Sequence, residues 1–147
     1  MTKQELLHKA IKIASKAHKG QTDRYHAPYI AHVLRVSAAG RTLDEKIVGA
    51  LHDVVEDCPE YNLDYLKSVG FPEDILFAVK CLSKMDPDES YSDFIVRIEA
   101  SPLAISVKLN DLRDNMDLAR YPNELTSHDF KRLQKYHNAY RYLIAKY

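Results

Sequence analysis

The sequence predicts an all-α protein, a compact single-domain helical bundle, on three observations. Apolar residues recur at spacings of three and four along most of the chain, the period of a helix with one buried face. No stretch alternates apolar and polar residues over several positions, as a half-buried strand would. Residues that cap helix starts stand just before several of the periodic runs, with Thr2, Thr42 and Ser101 the clearest. A chain of 147 residues is one domain's worth, so positions 1–147 are read as a single unit.

Thr2 with Glu5 forms a capping box, Leu6, Leu7, Ala10, Ile11, Ala14 and Ala17 make one apolar stripe, and Gly20 supplies a stop. The segment "GQTDRYHAP" follows as a loop. Pro28 suits the first turn of a second helix, which carries Tyr29, Ile30, Val33 and Leu34 toward Gly40. Thr42 with Glu45 is a second capping box, and the third helix runs through Ile47, Val48, Leu51 and Val55 until Pro59 ends it. A short helix around Leu63 to Val69 stops at Gly70, and the next starts near Pro72 with Ile75, Val79 and Leu82 on one face. "SKMDPDES" is a polar loop. Phe94, Ile95 and Ile98 mark a further helix, and Ser101 followed by Pro102 opens one through "LAISVKLNDLRDNMDLA". After "YPNELTS", Phe130, Leu133, His137, Tyr140 and Ile144 define a long C-terminal helix whose Tyr-rich face is expected to be partly buried.

Composition narrows the function classes. With 46% hydrophobic and 29% charged residues, the chain falls among ordinary globular proteins. Its 21 basic and 21 acidic residues cancel, so no global field draws it to nucleic acid or an anionic membrane. Without an apolar leader or a run of ~20 apolar residues, a cytoplasmic location is expected. Cys58 and Cys81 sit in periodic apolar stretches and read as reduced core thiols.

Between Gly49 and Cys58 the chain reads "GALHDVVEDC", with three carboxylates, one His and no basic residue. On a continuous helix, His52, Asp53, Glu56 and Asp57 fall within about 140° of arc, opposite Val48, Leu51, Val55 and Cys58. A solvated face is one reading, but Gly49 costs ~1 kcal/mol inside a helix and signals close packing beside it. The carboxylates also repel one another unless a cation resolves them. A mixed imidazole and carboxylate set suits Mn, Fe or Zn, and further donors are then required; His32 in "PYIAHVL" and Asp111 in "VKLNDLRDNM" are candidates, each weak when taken singly.

The order His32, His52 with Asp53, then Asp111 on a helical background resembles the HD-domain metal-dependent phosphohydrolases. Within them, "AHKGQTDRYHAPYIAH", "GALHDVVED" and "VKLNDLRDNM" resemble successive motifs of the (p)ppGpp hydrolase domain of Rel/SpoT-type enzymes and their small stand-alone relatives. The resemblance spans Ala17 to Met116 and implies an HD-type phosphohydrolase domain. It implies His32, His52, Asp53 and Asp111 as metal ligands and Glu56 and Asp57 as the catalytic acidic pair. Arg24, Asn115 and Lys108 follow as substrate contacts, with Lys108 and His18 also suited to supporting the ligands. Mn2+, or another divalent transition metal, is the implied cofactor. A phosphorylated nucleotide is the implied small-molecule partner.

A metal held by two His and two Asp leaves positions for water and a phosphate oxygen, and bound water becomes hydroxide near neutral pH. The resemblance therefore implies hydrolysis of the 3'-diphosphate of ppGpp or pppGpp to GDP or GTP plus pyrophosphate. The alternatives are a phosphatase for NADPH or a nucleoside monophosphate, and a non-catalytic nucleotide-binding module. Asp23, His26, Val33, Asn110 and Asp114 depart from the family pattern, where Arg, Gly, Pro, Ala and His are commoner. Asp23 in place of Arg would repel a diphosphate. Lys16, Lys19, Arg24, Lys84, Lys108 and Arg113 are the cations available for a polyphosphate.

Overall fold

The computed structural model describes residues 1–147, which form nine α-helices and no strand. They are α1 (Lys3–Ala17), α2 (Tyr29–Ala39), α3 (Leu43–Leu51), α4 (Val54–Asp57), α5 (Leu63–Ser68), α6 (Glu73–Leu82), α7 (Tyr91–Ile98), α8 (Pro102–Asn115) and α9 (Ser127–Lys146). Short 3-10 turns lie at Pro59–Tyr61 and Leu118–Arg120. The all-α expectation holds, and no helix is long and apolar enough to cross a membrane.

Local chemistry sets the helix ends. The Thr2 hydroxyl accepts the Glu5 N–H at 3.1 Å while the Glu5 carboxylate accepts the Thr2 N–H at 3.2 Å, completing the capping box. Ser101 accepts from the Ala104 N–H at 3.1 Å with Pro102 at the first helical position, as predicted. Thr42 accepts from the Glu45 N–H at 3.1 Å, but Glu45 does not return a bond to the Thr42 N–H, so only half of that box forms. Gly70, at φ +109°, follows the end of α5 and supplies the left-handed residue that a side chain would resist.

α3 lies at the centre of the bundle, against α1, α2, α6 and α8, and α9 covers α8 from outside. Ile47, Val48, Ala50, Leu51 and Val54 are all fully buried, in one core cluster with Ala10, Val33, Ile75, Ile98, Val107 and Leu112. Each fully buried Leu or Ile contributes roughly 1.5–3 kcal/mol over its exposed state. The close packing signalled by Gly49 is the backbone of α2: a Cβ there would stand 2.9 Å from Ser37 Cα and 3.1 Å from Ser37 N.

Three helices differ from expectation. The third predicted helix is interrupted at His52 and Asp53, where the His52 ring takes the Gly49 carbonyl and Asp53 adopts φ −111°, ψ −1°. His52 is therefore buried at 2% exposure instead of lying on a solvated acidic face. α8 ends at Asn115, not near Ala119, because the Met116 N–H is shared among the carbonyls of the last turn. On α9 Ala139 and Leu143 are buried and Tyr136 and Tyr140 are partly buried against the core, as expected of its Tyr-rich face, while Phe130 and Ile144 are exposed.

Candidate metal centre

His32 projects from α2, His52 and Asp53 from the break between α3 and α4, and Asp111 from α8. One donor atom each from His32, His52 and Asp53 lies within 4.8 Å of the others. Asp111 Oδ1 lies 3.0 Å from His32 Nε2 and 3.5 Å from His52 Nε2, and Asp53 Oδ2 lies 3.0 Å from His52 Nε2. Three of the four residues expected from the sequence thus share one cluster, and Asp111 adjoins it through the two imidazoles.

Both imidazoles are held by their outer nitrogens. His52 Nδ1 lies 2.6 Å from the Gly49 carbonyl oxygen, an acceptor only, so Nδ1 carries the hydrogen. Its Nε2 is buried and makes no aligned hydrogen bond. His32 Nδ1 lies 2.6 Å from Asp114 Oδ2, which likewise places the hydrogen outward and turns Nε2 toward Asp111. Two Nε2 lone pairs and carboxylate oxygens facing one another, with each His tautomer fixed from behind, is a donor set suited to a divalent cation of borderline hardness.

The electrostatics call for positive charge at that point. Burial works against a proton on His52, yet Asp53 and Asp111 overcome it and hold its pKa well above the imidazole value. Burial likewise opposes a proton on His32, but Asp111 and then Asp114 raise it. Burial disfavours the Asp111 carboxylate, and the Lys108 ammonium at 3.0 Å, with both His, drives its pKa well down. Asp53 is held low against its burial by His52 and by the hydroxyl of Tyr29, which donates to it.

The acidic pair sits on α4, directly after Asp53. Glu56 Oε1 accepts the Lys84 backbone N–H at 2.5 Å, yet partial burial and the Asp53 charge leave its carboxyl raised. Asp57 is pushed up to about 6 by partial burial and then by the charges of Asp53 and Glu56. Such a carboxyl exchanges its proton near neutral pH.

A cavity of 310 Å³ adjoins the cluster through Tyr29 and is lined by Arg24, Asn115, Arg120 and Arg132 among others. Arg24 is exposed there, and Asn115 also donates to Asp111 Oδ1 at 3.3 Å. Lys108, by contrast, is buried, bonded to Asp111 and packed over the Tyr91 and Phe94 rings, a position that supports the cluster and leaves it little freedom to meet a substrate. His18 is buried against Tyr29, with Nδ1 on Gln21 at 2.8 Å. Arg113 lies away from the cluster, on another cavity behind α8.

Asp114 was the residue missed by sequence reasoning. It accepts from His32, from Arg35 Nε at 2.8 Å and from Arg120 Nη1 at 3.0 Å, so the departure from His supplies the carboxylate that orients a ligand. Its signal was available: Asp114 follows Asp111 by three residues, on the same helix face. The repulsion expected from Asp23 is offset. Its Oδ1 accepts the Tyr25 and Ala27 N–H groups at 2.8 and 3.0 Å, and its Oδ2 pairs with Arg120 at 3.3 Å. His26 stands at φ +67°, a left-handed position that explains why glycine is commoner there.

Fold and site together define an all-helical protein with a buried His and Asp cluster able to hold a metal ion. Among characterised proteins, the chain is similar to two named GTP pyrophosphokinase. It is 29% identical over 127 residues to that of Streptomyces coelicolor and 30% identical over 127 residues to that of Streptomyces antibioticus. Each comparison covers 78% of this chain and 15% of the relative, so the chain spans about 15% of the length of the curated relatives it matches. No family model matches the chain.

These relatives correct the functional expectation. A pyrophosphokinase is named for moving a pyrophosphoryl group onto GTP, whereas hydrolysis of an alarmone diphosphate and the HD hydrolase label were expected. Neither the NADPH or nucleoside monophosphate phosphatase nor the non-catalytic module fits those names better. The physical reason is that a ligand set fixes which ion is held and leaves open which acceptor receives the phosphoryl group.

Proposed function

We propose that this chain is a metal-dependent enzyme unit that acts on a guanine nucleotide in pyrophosphoryl transfer, as the names of its relatives suggest for those proteins. The observation that carries the reading is the convergence of His32, His52, Asp53 and Asp111, with both imidazole hydrogens tied off on Asp114 and Gly49. These four residues are the proposed ligands and Mn2+ the proposed ion. Bound there, a divalent cation supplies charge that offsets the phosphoryl oxygens.

The remaining roles belong to this chain's side chains. Arg24 and Asn115, on the cavity beside Tyr29, are placed to seat the nucleotide. Asp57, raised to about 6, is suited to accept the proton of the attacking hydroxyl, and Glu56, anchored by the Lys84 N–H, stands beside it. Lys108 holds the Asp111 carboxylate in its charged state. Lys108 and Asp114 act as positioning residues.

The test is incubation of the purified chain with Mn2+, GTP and ATP as pyrophosphate donor, with products resolved by anion-exchange chromatography. Conversion of GTP to a more highly phosphorylated nucleotide, lost in Asp53→Ala, is the expected result. GTP recovered unchanged from protein that binds Mn2+ would refute the reading.

A further inference from the structure

The largest well-defined cavity of the chain is not at the metal cluster. It measures 550 Å³ and lies behind α8, between the α2–α3 connection and the end of α9. Its volume is in the range that takes a nucleotide-sized ligand. Ile105, Leu109 and Ile144 give it an apolar floor, with Tyr147 at its edge.

Its polar groups are of two kinds. Arg41 and Arg113 line it, and neither makes an ion pair within the protein. Arg113 is held instead by neutral partners: Nη1 donates to Asn110 Oδ1 at 3.0 Å, Nη2 donates to the Tyr140 hydroxyl at 3.3 Å, and the guanidinium stacks 5.3 Å from the Tyr140 ring centre. A guanidinium fixed by stacking and neutral acceptors keeps its charge for an anionic ligand. The second kind is the carboxylate of Glu45, a residue that lines the cavity and forms no ion pair. One of its oxygens accepts from the Thr42 hydroxyl at 3.4 Å, and the other has no side-chain donor. A carboxylate oxygen on the cavity wall with no donor from the chain can accept N–H groups of a ligand.

We infer that this cavity is a second nucleotide site, separate from the metal cluster, that takes a guanine nucleotide. The phosphate meets Arg41 and Arg113, and the donor pair of the base, N1–H and the 2-amino group, meets Glu45. Adenine presents a ring acceptor at the matching edge and would be repelled by the carboxylate. Asn110, on the wall of this cavity, directly precedes Asp111, so an occupant rests on the helix that carries a proposed metal ligand.

Backbone amide NMR on the full chain, with chelator present to remove metal, tests the inference. GMP should shift the signals of Arg41, Asn110 and Arg113, and the paired substitutions Arg41→Gln and Arg113→Gln should weaken that response by about tenfold or more. Both arginines are exposed and outside the core, so the variant should fold, which its spectrum reports directly. Glu45→Gln should reduce the preference for GMP over AMP by about tenfold. Shifts confined to the cavity around Arg24 and Asn115, equal responses to GMP and AMP in the parent, or no shift at all would overturn it. Because no metal is present, these outcomes do not depend on the metal-dependent reading above.

Discussion

His32 Nδ1 and Asp114 Oδ2 stand 2.6 Å apart, across the contact between α2 and α8, and this pair decides which ring nitrogen of His32 faces the cluster. Asp114 is pinned in turn by Arg35 and Arg120, and its pKa is held at about 2, against burial, by His32 and then Arg35. Asp114→Asn keeps the shape but weakens the hold on the ring hydrogen. Mn2+ affinity measured by calorimetry should fall by about 10- to 100-fold. Unchanged affinity would mean that His32 does not depend on Asp114.

The contact of Gly49 with Ser37 joins the helices that carry His52 and His32. A methyl group at Gly49 would meet backbone atoms at 2.9 to 3.2 Å, with no flexible side chain to move aside. Gly49→Ala should therefore destabilise the chain by roughly 1–3 kcal/mol, outweighing the better helix propensity of Ala. Thermal unfolding reads this as a drop of several degrees, and a Tm at or above the parent value would contradict it.

His26 occupies a left-handed backbone position at φ +67° in an exposed turn, where its N–H donates to the Asp23 carbonyl at 3.1 Å. Replacing it with glycine removes a strain of about 1 kcal/mol, partly offset by the greater freedom of glycine in the unfolded chain. His26→Gly should be as stable as the parent or more stable in urea denaturation. A clear loss would show that the imidazole itself holds the turn.

Asp57 gives a pH dependence with a definite sign. Its pKa rises from 3.8 to about 6 on folding, so the protonated form is favoured in the folded state. The stability it contributes is fully present below pH about 4 and is lost as pH rises through about 6. In metal-free protein, Asp57→Asn should remove that part of the pH dependence and raise stability at pH 7.5, by urea midpoints at pH 5 and 7.5. An unchanged pH profile would contradict the raised pKa.

The caps at Thr2 and Ser101 and the stops near Gly20 and Gly70 were legible because each is a local arrangement of a few residues. The break at His52 and Asp53 was not. Helical period alone extends a helix through any compatible stretch, whereas the interruption comes from a ring bonding to Gly49 within a tertiary site. The ligand set came from the resemblance of the motifs around His32, His52, Asp53 and Asp111 to a known family, and Asp114, which matters as much to His32, looked like a departure from that pattern. On α9 the partly buried Tyr-rich face was legible, but the exposure of Phe130 and Ile144 was not, because helical period alone does not tell which apolar residues find a partner. The reaction for which the chain's relatives are named was beyond the motif for a different reason: one ligand set can serve water or another hydroxyl as acceptor.

The cluster of His32, His52, Asp53 and Asp111 is most directly tested by Mn2+ titration of the metal-free chain, followed by both calorimetry and thermal unfolding, alongside Asp53→Asn. A single Mn2+ site per chain is predicted, with stabilisation of about 2.7 kcal/mol at a hundredfold excess over Kd, and with both responses lost in the variant. Binding that is absent in the parent, or equally strong after Asp53→Asn, would contradict the metal centre.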